Sequence, residues 1–242
     1  MTAVTPSCFT RGVRRLFLCA CFLVLKAHAA APDLSGYWTL DLKRSETAIA
    51  VSKLSSGARD RVRNFDPLKH DPVSVCMPYG MPRVMSAVGA LPMEIIQTDA
   101  QVTMLFDAHD EVRRIFIAKT PSDRSELAPL WLGYAYGKWE GATLVVETIG
   151  LTDQGLVDAT GIPHSEKLRV VERLRRLDAN TLLDEMTLED GDAFAAPITR
   201  KFYYTKAIEL QQREFHCAEQ QWLDHVMGRA KELTRELAER KK

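Results

Sequence analysis

From Met93 onward the chain alternates apolar and polar residues in short runs separated by turn-forming clusters, the pattern of a sheet with one buried face. The runs predict strands over about residues 93–98, 101–107, 112–118, 132–139, 143–149, 167–177, 181–189, 198–205 and 208–216. The residues between them suit tight turns: Thr98-Asp99-Ala100, Ala108-His109-Asp110, Glu140-Gly141-Ala142 and Asp178-Ala179-Asn180. An earlier run, Leu34 to Leu42, places Tyr37, Thr39 and Asp41 on one face and Trp38, Leu40 and Leu42 on the other. Together these runs predict an all-β domain, an antiparallel up-and-down β-barrel of about 8–10 strands, because closure removes the exposed sheet edges.

Two stretches break the alternation. Ser55 to Phe65 reads as a short polar helix capped by serine, ended by Asp66-Pro67, and Pro72, Pro78, Pro82 and Pro92 keep the following stretch irregular. At the other end Leu223, Val226, Met227, Ala230, Leu233 and Leu237 recur at helical spacing, opposite Arg229, Lys231, Glu232, Arg235 and Glu239. They predict a C-terminal amphipathic helix over residues 218–242 that packs on the barrel or joins two copies as a homo-oligomer.

Arg11, Arg14 and Arg15 precede an apolar run from Leu16 to Leu25, and Ala27-His28-Ala29 has the small-x-small pattern of a cleavage site. About ten apolar residues are too few to span a bilayer, which takes about 20. Residues 1–29 are therefore expected to be a signal peptide, and the mature barrel domain, residues 30–217, to be periplasmic or secreted. The full chain has 32 Lys and Arg against 32 Asp and Glu; loss of Arg11, Arg14, Arg15 and Lys26 leaves 28 basic side chains and no loss of acids. That mildly acidic balance argues against a nucleic-acid partner. Of five cysteines only Cys76 and Cys217 remain, a pair expected to form a disulfide, with two buried thiols as the other reading.

Strand parity also finds polar residues on apolar faces. Glu172 shares a face with Leu168, Val170 and Leu174, and the same parity carried backward adds Glu166 and His164. Arg113 goes with Ile115 and Ile117, and Glu147 with Val145 and Ile149, opposite charges suited to pairing. Such a set can be a structural ion-pair network, a ligand site, or an acid–base pair, since burial raises a carboxylate pKa and histidine titrates near neutrality. Tyr134 and Tyr136 share a face between Trp131 and Trp139, which wall a pocket or simply fill the core. His70, His109, His164, His216 and His225 have no ligand spacing, so no metal is expected, and nothing in the chain calls for a cofactor.

Gly36-x-Trp38 at the start of an up-and-down β pattern resembles the calycin and lipocalin barrels. More of the chain resembles a group of bacterial exported proteins without an assigned function. The blocks are Asp71-Pro72 to Cys76, Gly80-Met81-Pro82-Arg83-Val84-Met85, Pro92-Met93-Glu94-Ile95, Val112-Arg113-Arg114-Ile115, Gly137-Lys138-Trp139-Glu140-Gly141, Leu144-Val145-Val146, and Pro163-His164-Ser165-Glu166-Lys167-Leu168 running into Glu172-Arg173. That resemblance implies a shared polar site at Arg83, Glu94, Arg113, Arg114, His164, Glu166 and Glu172. The chain departs from the pattern at Tyr134, where the group tends to have histidine, and at Ala142 and Glu147, where it tends to have aspartate. The expectation is a lipocalin-like protein that binds a small, largely apolar molecule inside the barrel, with Arg83, Glu94, Arg113, Tyr134, Glu147, His164, Glu166 and Glu172 around it. The alternative is a cavity enzyme, a lyase, isomerase or hydrolase, using His164 with Glu166 or Glu172 as acid and base.

Overall fold

The computed structural model describes residues 31–86, 92–119 and 127–207, with Cys217, Gly228, Arg229, Lys231 and Glu239. Nine strands form a closed barrel: β1 (Gly36–Leu40), β2 (Met93–Gln97), β3 (Gln101–Phe106), β4 (Glu111–Ile117), β5 (Tyr134–Glu140), β6 (Thr143–Ile149), β7 (Arg169–Arg176), β8 (Thr181–Glu189) and β9 (Ile198–Ala207). Each lies within a few residues of a predicted run. The expected signal segment 1–29, the run 208–216 and most of the expected C-terminal helix fall outside the described residues.

Neighbouring strands are antiparallel except β4 and β5, which pair in parallel at Ile115–Ala135, Phe116–Tyr136 and Ile117–Gly137. The exception has a simple cause. Strands that alternate in direction around a closed ring must be even in number, so nine strands leave a pair running the same way. A parallel pair needs a long crossover, and residues 118–133 separate the two strands in the chain.

The inner face is the one the alternation predicts. Trp38, Met93, Ile95, Val102, Met104, Ile115, Leu144, Val146, Val170, Leu174, Leu182, Met186 and Phe202 are all buried to 2% exposure or less, and they fill the centre. Near the end of the barrel where β1 begins, Trp38 is fully buried. Its indole N–H donates to Leu34 O at 2.9 Å, and Arg176 and Lys206 each lie 5.9 Å from its ring.

The opposite end is covered by the long excursion between β1 and β2. Ser55 caps α1 (Ser56–Arg63) by accepting from Ala58 N, and Asp66 caps the single turn α2 (Pro67–His70). Residues 83–86 then form a short 3-10 turn, all of it buried. Tyr204 on β9 donates its hydroxyl to Met85 O at 2.7 Å, so this turn is a plug bonded to the barrel wall.

Cys76 just before the plug is joined to Cys217, with Cα atoms 5.8 Å apart. The bond closes a sequence separation of 141 residues, for which loop entropy gives up to about 4–5 kcal/mol. Replacing both cysteines with serine should therefore lower the guanidinium midpoint strongly, and dithiothreitol should lower that of the native protein to the same value. A midpoint indifferent to reductant would show that the bond does not hold the plug end in place.

Candidate functional site

Most polar side chains on the inner face come from strands whose other inward positions are apolar, so each needs a partner. Arg113 on β4, 1% exposed, finds Glu172 on β7, which is fully buried. Its Nη1 donates to Glu172 Oε1 at 2.8 Å and its Nη2 to Oε2, while Nη2 also donates to Thr148 Oγ1 at 2.8 Å. The Met85 sulfur of the plug is 3.6 Å from Nη1 and that of Met104 is 3.9 Å away. The guanidinium thus ties together β4, β6, β7 and the plug. Its Nε–H is buried and has no partner.

Asp184 on β8 points inward by the same alternation, level with Leu174 and Phe202. It is fully buried, and neither carboxyl oxygen has a hydrogen-bond partner. Burial pushes its pKa well above the carboxylate range, and the nearby charge of Glu172 adds to the effect while Arg113 opposes it. Of the two acids, Glu172 takes the ion pair with the guanidinium, and burial disfavours the charged form of Asp184. Arg200 on β9 spends its charge differently, donating from Nε to Glu46 O at 2.9 Å and from Nη2 to Thr47 O at 2.5 Å.

Glu111, at the start of β4, grips the plug. Its carboxylate accepts from Tyr79 N at 2.6 Å and from Gly80 N at 3.0 Å. Burial raises its pKa from 4.5 to about 7, against the lowering effect of those two N–H groups and of Arg83. Arg83 itself forms a bidentate pair with Asp71 at 2.7 and 2.8 Å, and lies 5.0 Å from the Tyr79 ring. Gly80 sits at φ +65° against Trp131, where a Cβ would come within 2.7 Å of Trp131 O, and Met81 N donates to that oxygen at 2.9 Å. No side chain larger than hydrogen fits there.

The expected site residues are brought together only in part. Arg113 and Glu172 meet in the interior. Glu147 does not join them: the inner face of β6 is Leu144, Val146 and Thr148, and Glu147 lies on the outer face, accepting from Arg169 Nε at 2.6 Å. Apolar Val145 and Ile149 on that outer face made the parity ambiguous. Glu94 is half-buried on the outward parity of β2, level with Tyr37. Arg83 is buried in the plug rather than in the barrel centre.

His164 and Glu166 also part company. Strand β7 begins only at Arg169, and the turn before it ends the alternation, leaving Glu166 exposed. His164 is buried in the β6–β7 connection, with Nδ1 3.1 Å from Ser165 O, and burial lowers its pKa. Its Nε2 has no partner and packs on Gly155. Glu172 is already committed to Arg113. The expected acid–base pair of His164 with one of these two carboxylates is not assembled.

Asp184, Glu111, Thr148 and Arg200 were missed, although the signal was present. Leu182-x-Asp184-x-Met186-x-Leu188, Glu111-x-Arg113-x-Ile115 and Ile198-x-Arg200-x-Phe202-x-Tyr204 are the same alternation that revealed Glu172.

Among the described residues, two grooves outside the barrel centre stand out. One, of about 530 Å³, runs between α1 and the β6–β7 connection and is lined by Asp60, Arg61, Asn64, Phe65, His70 and Leu156 among others. The other, of about 390 Å³, lies where β4 and the segment leading into β5 diverge, with Val112, Phe116, Trp131, Leu132 and Tyr134 around it and Arg113 among its lining residues. The Tyr134 hydroxyl donates to Ala128 O at 3.2 Å. Among the described residues no group of three or more His, Cys, Asp or Glu is placed to hold a metal ion.

The two interior acids should respond oppositely to neutralisation. Glu172→Gln leaves Arg113 without its counter-charge and should cost about 3–5 kcal/mol, whereas Asp184→Asn removes an ionisation that the fold disfavours and should raise stability above neutral pH. Equal effects on the denaturant midpoint at pH 8 would contradict this division of roles. Glu111 sets a second pH dependence. Its folded pKa, about 7, is above its ordinary 4.5, so the native state holds the proton more tightly and stability falls as pH rises between those values. The loss is on the order of 3 kcal/mol. Glu111→Gln should flatten the denaturation free energy over that range.

No protein-family profile matches the chain, and no curated protein matches it. Among solved structures the chain is similar to a mutant of the fluorescent protein UnaG, at 13% identity and a TM-score of 0.35, over 73% of this chain and 97% of that one. A likeness that distant adds nothing to the barrel topology, which stands on the strand pairing itself.

Proposed function

We propose that the protein is an exported barrel that binds a small, largely apolar molecule, and that the molecule is held at the side of the barrel, in the groove between β4 and the approach to β5. The observation that carries this reading is the lining of that groove: aromatic and aliphatic walls from Phe116, Trp131, Leu132 and Tyr134, with Arg113 among them. The Arg113 Nε–H is a buried donor without a partner. Sites for small ligands combine an apolar surface with a few polar groups that fix orientation, and a buried donor left empty favours a ligand that brings an acceptor. Glu172 and Thr148 fix the guanidinium in place, so it is preorganised.

The interior is a weaker host. Its apolar positions are occupied by side chains from all nine strands, Trp38 is buried near one end, and the residue 83–86 plug is bonded to the wall at the other. The Cys76–Cys217 bond supports an oxidising compartment for the protein, and among the described residues no helix is long and apolar enough to cross a membrane.

Native mass spectrometry of protein purified from its own source tests the reading at its broadest, and a retained small molecule is the expected result. The groove is tested with 8-anilinonaphthalene-1-sulfonate, an aromatic dye with an anionic head group. It should quench a tryptophan emission component that is absent in Trp131→Phe, and Leu132→Arg should weaken its binding about tenfold. Binding that ignores both substitutions would place the ligand elsewhere.

A further inference from the structure

Strand β4 pairs with β3 over its whole length from Glu111, but its pairing with β5 begins only at Ile115. Backbone groups of successive residues in a strand point alternately to the two sides. Ile117 N donates to Ala100 O on the β3 side, and Ala118 N donates to Gly137 O on the β5 side. Carried along the strand, that alternation turns Val112 N–H and C=O, and Arg114 N–H, toward β5 at the level where β5 has not yet joined, and among the described residues no backbone group pairs with them there. There the groove opens, and Val112 and Arg114 both line it. One wall of the groove is therefore the edge of a strand.

We infer that the ligand of this groove is a short extended peptide, which adds to β4 at Val112–Arg114 as an extra strand between β4 and the approach to β5. The inference rests on the groove being the binding site and narrows the class of molecule it takes.

Three features support a peptide. An open edge offers donors and acceptors at the spacing of another backbone, which is how edge-strand recognition works. The open stretch, Glu111 to Arg114, is about 13 Å long at about 3.3 Å per residue, enough for roughly three peptide residues. Alternate side chains of an added strand meet different surroundings. Those on the outer face lie beside exposed Arg114, which favours an acidic neighbour across the strands, and the others meet the apolar groove wall that includes Trp131 and Leu132. An apolar–acidic–apolar tripeptide fits that pattern.

The test uses acetyl-Val-Glu-Val-amide, the same peptide N-methylated at its central amide, and 8-anilinonaphthalene-1-sulfonate, each titrated into the intact protein. Trp131 emission is read against Trp131→Phe, and amide exchange is read at Val112 and Arg114. The expected result is that the unmodified peptide shifts the Trp131 emission and slows exchange at both amides, that N-methylation weakens it about tenfold, and that Arg114→Glu lowers its affinity while raising that of acetyl-Val-Lys-Val-amide. If the dye binds at Trp131 but the peptide does not, or if the N-methylated peptide binds equally well, the peptide inference is overturned and the small-molecule reading survives. If neither dye nor peptide affects Trp131 or the two amides, the groove itself is not the site.

Discussion

Nine strands cannot alternate in direction all the way around a closed barrel, and the consequences of that odd number run through the whole molecule. The mismatch falls between β4 and β5, where three register positions join two parallel strands. Strands that meet over only half their length diverge over the other half. The groove lies at that divergence, with Val112, Arg113 and Arg114 of β4 among its lining residues.

Arg113 connects the seam to the rest of the core. A guanidinium buried to 1% exposure needs a counter-charge, and Glu172 supplies it from β7, with Thr148 of β6 alongside. This pair is a weak source of net stability, since desolvating two charges costs about as much as their attraction returns. Its effect is on uniqueness. The bidentate geometry gives β4 and β7 one mutual placement, and Met85 and Met104 pack against the same head group. With Arg113 already committed to Glu172, burial in the same core pushes the pKa of Asp184 upward.

The plug depends on the same part of the wall. Glu111 lies two residues before Arg113 on the inner face of β4 and holds Tyr79 and Gly80 by their backbone N–H groups, while Gly80 and Met81 rest on Trp131 of the groove. Arg83, paired with Asp71, and the Cys76–Cys217 bond anchor the segment on either side of that contact. The end of the barrel, the groove wall and the interior ion pair are thus three faces of one cluster around β4.

Much of the architecture was legible in the sequence by itself. Period-two alternation located the strands, turn residues separated them, and the inward positions of Arg113 and Glu172 followed from parity, because each of these is a local property of the chain. Parity failed at Glu147, where β6 is apolar on both faces, and at His164 and Glu166, where a turn interrupts the count before β7. Which acid pairs with which base was beyond local reading: Glu147 goes to Arg169 on the outside and Glu172 to Arg113 inside, a choice made by barrel closure and register between segments far apart in sequence. The same holds for the parallel seam and its groove. The chain determined which residues face inward; only the tertiary structure decided which of them meet, because closing an odd number of strands is a constraint on the whole ring and on no single strand.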